Sequence, residues 1–490
     1  MNRKRFRFKP KLNFEIGLLA LILLLAFVLR LYRISNPPLD WHAFRQADTA
    51  SVTREYVKHG IDLLRPRYHD LSNIQSGKPN PEGFRMVEFP LINAIIAQVV
   101  LITGLDLVIV SRLFSLLASL GTLSLIYLLV KEISGKKAAL WSSLFFALLP
   151  YSIFYSRVIL PEPFILFFSM LGLTSFFFFL KKPGLILWLL AWLGFSLALL
   201  LKPFVIFIMP VLLAFAYGLE RKKLFSLPVV LGYLGLSTSF LTLYAWREWI
   251  KQFPSGIPAS NWLFNSDGIR LRPAWFRWLG YERLVKLFLG FVGLVFLPFS
   301  LVKLSKKEAL IYGVWWLGIL AFFVVIATGN VRHDYYQNLM LPILVITLGR
   351  GATLIERQLN RHFNPLISSL AVLGLALITS LSAWQFIKGF YHINHPEYII
   401  AGEAVDKLTP KNAIVIAPAF GDTQLLFMTN RRGFPIGFEI EEKIKAKAQY
   451  YVSTNFDDEV KKLEKKYFTI KKTHQYIILD LTKEKKKGER

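Results

Sequence analysis

A polar segment interrupts the hydrophobic sequence early in the chain and reads PPLDWHAFRQAD over residues 37–48. It opens a polar region that runs to Pro90, between one apolar stretch (residues 14–34) and a long series of others. Two carboxylates, a histidine and an arginine lie within nine residues, immediately after the first apolar stretch. Ionisable groups so close to hydrocarbon are costly unless they have a function. The segment therefore predicts half of an active site, in a first loop (residues 35–90) facing the side of the membrane opposite the N-terminus.

The composition is that of a polytopic membrane protein. Of the 490 residues, 54% are hydrophobic, and apolar runs of about 20 residues recur, each long enough to cross about 30 Å of hydrocarbon. The net charge of +27 could indicate nucleic acid. Much of the lysine and arginine lies in short loops between apolar runs, as the positive-inside rule requires, so no nucleic-acid partner is expected. There is no cysteine, which excludes disulfides and thiolate metal sites.

The apolar runs predict eleven membrane spans and a cytoplasmic N-terminus. The spans fall at approximately residues 14–34, 107–130, 138–156, 162–180, 184–201, 204–219, 224–246, 284–303, 308–327, 338–356 and 364–386. If the basic clusters that mark most connections are all cytoplasmic, the C-terminus is extracytoplasmic. The apolar segment 91–103 has only about 13 residues, which favours a re-entrant or interfacial helix, and counting it as a crossing gives a twelve-span alternative.

Two further regions have a predicted organisation of their own. Within the first loop, residues 47–58 are predicted to form an amphipathic helix on the membrane surface. From about residue 391 the pattern changes to short strands and charged helices, which predicts a small α/β domain on the extracytoplasmic side. Its predicted elements are strands at 413–417, 450–452 and 476–481, helices at 422–428 and 457–467, and a solvated basic tail from residue 483. No credible nucleotide-binding motif occurs, so nucleotide-driven transport is unsupported.

Asp40 is the strongest candidate for a general base. It follows Pro37-Pro38 and neighbours Trp41, so partial desolvation could let its carboxylate accept a proton near neutral pH. The alternative is an ordinary loop in which Asp48 caps a helix beginning at Thr49. Function is favoured for Asp40 and Arg45, whereas both interpretations fit Asp48 equally.

Further charged residues lie at predicted helix ends. Arg157 and Glu162 could supply a cation and a carboxylate to the same cavity as the first loop, although each alone fits a snorkelling or helix-start residue. Lys202, Arg332 and His333 individually fit interfacial snorkelling, and jointly they could neutralise a phosphate head group.

Glu88 has three possible roles. With His333 or Asp40 it could hold a divalent cation through oxygen and imidazole ligands, but the spacing matches no metal signature. An ion pair with Arg85, or a carboxylate at a helix start, is the simpler interpretation.

Together these segments resemble the GT-C superfamily of membrane glycosyltransferases. Within it they are most similar to the bacterial group related to dolichyl-phosphate-mannose–protein mannosyltransferases and the lipid A aminoarabinose transferase. The resemblance covers residues 14–390 and rests on the acidic first loop, Glu88-Phe89-Pro90, Arg112-Leu113, Arg157 with Pro161-Glu162-Pro163, Lys202-Pro203, and His333-Asp334-Tyr335-Tyr336 followed by Leu341-Pro342.

The first loop also resembles a subgroup that carries Asp-x-His-x-x-Arg-Gln. Here these residues are Asp40, His42, Arg45 and Gln46, and the subgroup's C-terminal Asn-Arg-x-Gly step appears at residues 430–433. Two departures stand out. Many members have an Asp-Glu pair where Arg45-Gln46 stands, and the family's Glu-Lys-Pro step lacks its lysine at Glu88-Phe89-Pro90.

The resemblance implies an all-α polytopic GT-C domain (residues 1–390) followed by a small α/β extracytoplasmic domain (391–490). It implies a polyprenyl-phosphate-sugar donor and a lipid, glycan or protein acceptor. The implied reaction is a single inverting displacement on the extracytoplasmic face of the inner (plasma) membrane. Asp40, Asp48 and Glu162 are expected to be catalytic, and a divalent metal could be held by Glu88 and His333. The expected substrate-binding residues are His42, Arg45, Gln46, Arg157, Lys202, Arg332 and Tyr335. The alternatives are a flippase or transporter of lipid-linked saccharides, and an oligosaccharide ligase.

Overall fold

The computed structural model describes residues 14–75, 77–216, 221–254 and 261–485, and most of these residues are helical. The α-helices before the C-terminal domain are Phe14–Arg30, Ala43–His59, Leu91–Thr103, Leu107–Ser134, Lys136–Leu148, Pro150–Tyr155, Glu162–Lys181, Leu185–Leu201, Val211–Phe215, Arg221–Leu224, Leu227–Ser237, Ser239–Ile250, Trp262–Asn265, Pro273–Phe276, Phe296–Leu301, Lys306–Val325, Ala327–Arg332, Leu341–Leu359 and Pro365–Ile387. A π-helix spans Arg277–Phe288, and 3₁₀ turns span Pro203–Phe207, Val292–Val295, Asp334–Met340 and Lys388–Tyr391.

By length and composition, six of the helical segments in the described ranges could cross a membrane. They are Leu107–Ser134, Glu162–Lys181, Leu227–Ile250, Lys306–Val325, Asp334–Leu359 and Pro365–Tyr391. A seventh arises if the segments Pro273–Phe288 and Val292–Leu301, bent by 101°, are one span. The predicted count of eleven is therefore not confirmed.

Prolines account for part of this difference, because they break apolar runs that hydropathy treats as continuous. The predicted span 138–156 is two helices, since Leu149 before Pro150 is extended and ends the first helix. The predicted span 204–219 is interrupted around Pro210, and its residues 217–219 lie outside the described residues. The basic N-terminal residues 1–11 and residues 486–490 of the predicted tail also lie outside them.

The first loop forms a helix that is longer and more buried than the sequence indicated. It spans Ala43–His59, so Asp48 lies inside the helix, and its predicted role as N-cap is wrong. Gln46, Ala47 and Asp48 are consecutive and all buried, and consecutive side chains point about 100° apart around a helix, so the helix does not lie open on a surface as an amphipathic helix would. The short apolar helix Leu91–Thr103 has the predicted bounds, and it packs against this loop helix.

The C-terminal domain contains a five-stranded mixed sheet. Its strands are β1 (Ile414–Ile416), β2 (Arg432–Phe434), β3 (Ala448–Ser453), β4 (Tyr467–Lys472) and β5 (Ile477–Glu484), in the order β2-β1-β3-β5-β4. Strand β1 is parallel to β2 and β3, whereas β5 is antiparallel to β3 and β4. The accompanying helices are Glu397–Leu408, Gln424–Met428, Ile440–Lys445 and Asp458–Lys466.

Both faces of this sheet are covered by helices. Val415 packs on one face with residues of the Glu397–Leu408 helix, and its neighbour Ile416 packs on the other with the Asp458–Lys466 helix. This alternation is what the pleat of a strand requires.

The first loop is joined to the edge of the sheet at β2. The amide of Leu71 donates to the Gly433 carbonyl at 2.8 Å, and the Gly433 amide donates to the His69 carbonyl at 2.9 Å. Gly433 is squeezed against β1, because a Cβ there would overlap the Val415 carbonyl. Just before it, the buried Arg431 guanidinium donates to Asp406. The Asn-Arg-x-Gly step thus shapes the surface on which the loop docks.

Candidate active site

Asp40 lies in a fully enclosed ion cluster. Its Oδ2 accepts from Arg157 Nη2 at 2.6 Å and from Arg112 Nη2 at 3.4 Å, and its Oδ1 accepts from Gln46 Nε2 at 2.6 Å. The side chains of Asp40 and of both arginines are 0% exposed. Both arginines also donate to the carbonyl of Arg33, at the turn that follows the first helix. This buried cluster (Asp40, Gln46, Arg112 and Arg157) fixes the start of the first loop and leaves Asp40 little room to reach a substrate.

Asp48 is equally enclosed, but it faces the C-terminal domain. Its Oδ1 accepts from the Thr423 hydroxyl at 2.8 Å, and its Oδ2 accepts from Gln75 at 2.9 Å and pairs with Arg85 at 3.2 Å. Burial alone would raise the pKa of Asp48, but Arg85 and His69 more than offset this and hold it below its ordinary value. Asp48 is therefore an ionised anchor between the loop helix and the C-terminal domain.

A second group of charges combines two buried residues, Arg45 and Glu162, with two partly accessible ones, Glu88 and Lys202, and we call it the charged cluster. Arg45 donates to Glu88, and the Lys202 ammonium donates to Glu162. The side chains of Glu88 and Lys202 are 16% and 12% exposed. The Lys202 Nζ also lies 4.9 Å from the ring centre of Tyr335, a cation–π contact.

The charges of this cluster tune one another. Burial alone would raise the pKa of Glu88, but Arg45 and Lys202 more than offset it, so the carboxylate stays ionised. Burial lowers the pKa of Lys202, and Glu162 and Glu88 only partly oppose the shift. Two cations are thus held in a largely dry environment, where they attract an anion more strongly than they would in water.

The charged cluster borders apolar space. An open cleft has Glu88 on its wall, with apolar residues that include Ile92, Ile96 and Phe164 and with small polar residues such as Thr53 and Ser115. A neighbouring cavity of about 190 Å³ is lined only by apolar side chains, among them Ile92 and Leu201. An anion with a hydrocarbon tail could place its head at the cations and its tail along these helices.

A buried carboxylate, that of Asp334, accepts hydrogen bonds from three aromatic side chains near Tyr335. Its Oδ2 accepts from Trp41 Nε1 at 2.9 Å, and its Oδ1 accepts from the Tyr155 hydroxyl at 2.5 Å and from His42 Nε2. The His42 ring stands edge-on to Tyr335, with ring centres 4.7 Å apart. Tyr335 therefore contacts both the imidazole of His42 and the ammonium of Lys202.

The expected site residues fall into four places. Arg332 lies apart, because Asp267 binds its guanidinium at 2.8 and 2.5 Å on a half-exposed surface. Asp40, Gln46 and Arg157 are in the buried cluster, and Asp48 is at the C-terminal domain. The predicted residues that meet around Tyr335 are His42, Arg45, Glu88, Glu162, Lys202 and His333.

Two residues of this region were not singled out from the sequence. Asp334 belongs to the His-Asp-Tyr-Tyr motif and Arg112 begins the Arg-Leu step, so the sequence placed both in motifs without assigning either a role. Their roles depend on partners far away in the chain, which the motifs do not reveal.

The expected divalent metal site does not fit the residues present. The described part of the chain has no group of three or more His, Asp or Glu side chains that could hold a metal ion. Glu88 is already paired with Arg45. The buried Nδ1 of His333 has no hydrogen-bond partner and could offer one ligand. However, burial and the nearby His42 and Lys202 lower the pKa of His333 to about 3, and a positive field that opposes a proton also opposes a dication.

Fold and site together define a class: helical membrane proteins that hold cations beside an apolar cleft and carry a small C-terminal domain. The sequence profile of the dolichyl-phosphate-mannose-protein mannosyltransferase family matches residues 99–252. No curated protein sequence matches the chain at a significant level.

Three solved structures have a similar fold. ArnT from Cupriavidus metallidurans bound to undecaprenyl phosphate has a TM-score of 0.65 and 14% identity, over 95% of this chain and 97% of that one. The Archaeoglobus fulgidus oligosaccharyltransferase in complex with Zn and sulfate has a TM-score of 0.59 and 13% identity, over 89% and 68%. The arabinofuranosyltransferase AftD from Mycobacteria has a TM-score of 0.55 and 11% identity, over 96% and 40%. The chain thus has the GT-C fold, and the resemblance seen in its sequence is confirmed at that level.

Proposed function

We propose that the protein is a membrane glycosyltransferase that takes a sugar from a polyprenyl-phosphate carrier. The observation that carries this proposal is a pair of cations beside space that a lipid could enter. Arg45 lines a small cavity that shares Glu88 with the cleft, and Lys202 lines a mainly apolar cavity with Glu162. A lipid phosphate needs both features at once. The GT-C fold supports the proposal, and the structure of ArnT with undecaprenyl phosphate shows that this fold accommodates such a lipid.

The cations would act on the leaving group. As the bond between the sugar and the phosphate breaks, negative charge grows on the phosphate oxygen, and preorganised cations in a dry site stabilise it. Glu88 and Glu162 hold Arg45 and Lys202 in place and balance their charge before the donor binds. The buried and unpartnered Nδ1 of His333 is free to hydrogen-bond the donor.

The finer assignment follows the sequence-based expectations. We place the reaction, a single inverting displacement onto a lipid, glycan or protein hydroxyl, on the extracytoplasmic face of the inner membrane. Residues 1–390 form the transmembrane unit with eleven spans and a cytoplasmic N-terminus, and residues 391–490 form an extracytoplasmic domain. The contact of Thr423 with Asp48 supports a role of this domain in holding the first loop closed over the site.

The direct test is a transfer assay with the purified protein. It is incubated with radiolabelled polyprenyl-phosphate monosaccharides and a panel of envelope lipids, glycans and peptides. We expect free polyprenyl phosphate and a labelled acceptor to form together, and Lys202→Met to reduce both. Lys182→Met is the matched control, because Lys182 is an exposed lysine at the other end of the same helical segment. Transport of intact donor across vesicles without release of polyprenyl phosphate would instead establish a flippase.

A further inference from the structure

The acidic residues near the site are poorly placed to accept a proton. Both oxygens of Asp40 and both of Asp48 already have partners inside enclosed clusters. Glu88 and Glu162 are each paired with a cation. Protonating any of these carboxylates would break an ion pair or a hydrogen bond. A residue that keeps a free acceptor atom is therefore a better candidate for the base.

His42 has the required free nitrogen. Asp334 accepts hydrogen bonds from Trp41, which can only donate, and from Tyr155, so it acts as an ionised acceptor. The proton between Asp334 and His42 then belongs to Nε2 of the imidazole, which leaves a lone pair on Nδ1. Nδ1 has no hydrogen-bond partner among the described residues and is not one of their fully buried atoms.

The backbone of His42 has a positive φ, as it does at nine other non-glycine residues of the described chain. Its φ of 56° and ψ of 36° lie in the left-handed region, although its side chain makes no capping bond to the helix that follows. This conformation costs a non-glycine residue roughly 1–2 kcal/mol, and it persists where contacts with the surrounding structure hold the residue in it. Here the strained backbone turns the imidazole toward Asp334 and Tyr335.

On these grounds we propose that His42 is the general base of the transfer and that Asp334 is the residue that positions it. This inference rests on the proposed function. The acceptor oxygen attacks the anomeric carbon while its proton passes to Nδ1 of His42. The bond from the anomeric carbon to the phosphate oxygen breaks, and its electron pair leaves with the polyprenyl phosphate beside Lys202. The imidazolium, stabilised by Asp334, then releases its proton to water.

Chemical rescue tests this role directly. His42→Gly keeps the left-handed backbone and removes the base, so we expect turnover to fall by about 10²- to 10⁴-fold. Added imidazole should restore part of that turnover in a saturable way. His42→Asn tolerates the same backbone but cannot act as a base, and it should bind polyprenyl phosphate normally and remain inactive with imidazole. The control is His59→Gly, at the exposed end of the helix that follows His42. It should keep wild-type turnover, and added imidazole should not change that turnover.

Asp334→Asn tests the positioning residue separately. It should lower kcat for transfer while KM for the donor stays unchanged, since Asp334 binds His42, Trp41 and Tyr155 and no residue of the charged cluster. Turnover of His42→Gly or His42→Asn within threefold of wild type would overturn the proposal. So would a His42→Gly variant that binds donor normally but gains nothing from imidazole. If wild type transfers no sugar from any donor, the proposed function itself fails, and that result is distinct from either outcome.

Discussion

Replacing Asp40 by asparagine should destabilise the protein far more than it impairs the chemistry of the molecules that remain folded. The substitution leaves Arg112 and Arg157, both with 0% exposed side chains, without a carboxylate. Removing one partner of a buried ion pair typically costs 3–5 kcal/mol, because the other charge stays buried and uncompensated. Since the asparagine oxygen can still accept one hydrogen bond, we expect a loss of about 3 kcal/mol, at the lower end of that range.

The measurement is thermal unfolding of the purified protein in detergent, followed by tryptophan fluorescence. Asp40→Asn should lower the apparent unfolding temperature by roughly 3 °C. The control is Asp62→Asn in the same loop, where the carboxylate is half exposed and asparagine can keep the turn bonds made by Oδ1. It should leave the unfolding temperature unchanged.

One result would refute this reasoning. If Asp40→Asn unfolds at the wild-type temperature but has lost transfer activity, then Asp40 touches the reacting atoms. Its main role would then be catalytic and not the stabilisation of the buried cluster. Loss of activity in proportion to the loss of folded protein would support the architectural role.

Three further outcomes are expected. Lys202→Met should weaken polyprenyl-phosphate binding by about tenfold to a hundredfold, the value of a charge-assisted hydrogen bond, as measured by titration. Gly433→Ala should displace β2 from β1, because a Cβ overlaps the Val415 carbonyl, and limited proteolysis should then cut the first loop, which pairs with Gly433, faster than in wild type. The pKa of His333 is lowered to about 3. Its imidazole therefore stays neutral in the folded state at pH values below about 6.5, where the unfolded chain binds a proton there. Stability is therefore present above that pH and falls as the pH drops, by about 2 kcal/mol at pH 5, and His333→Gln should flatten this dependence in unfolding curves.

The sequence predicted those features that depend on local patterns. Hydropathy located the helix Leu91–Thr103 with its observed bounds, and short apolar runs located β1, β3 and β5. The edge strand β2 was missed because it has only three residues with a central glycine. The edge strand β4 was missed although its first four residues, Tyr-Phe-Thr-Ile, are of the types that favour strands.

The composition of the site could be predicted only in part, because long-range pairing decides which charges are available. Asp40 and Glu88 look alike in sequence, yet the first is enclosed by two arginines and the second opens onto a cleft. Arg332 was expected at the phosphate, but Asp267, 65 residues earlier, holds it elsewhere. No local pattern carries that information.

The pairing of the first loop with β2 has a consequence for biosynthesis. Asp48 leaves the ribosome 375 positions ahead of its partner Thr423, and the strand-like residues around Asp70 likewise precede Gly433. At typical rates of translation this delay lasts tens of seconds, during which the nascent loop has nothing to close against. Assembly of the first loop against the C-terminal domain is thus tied to completion of the polypeptide. A prematurely terminated chain would insert its helices but would lack the partners that hold this loop.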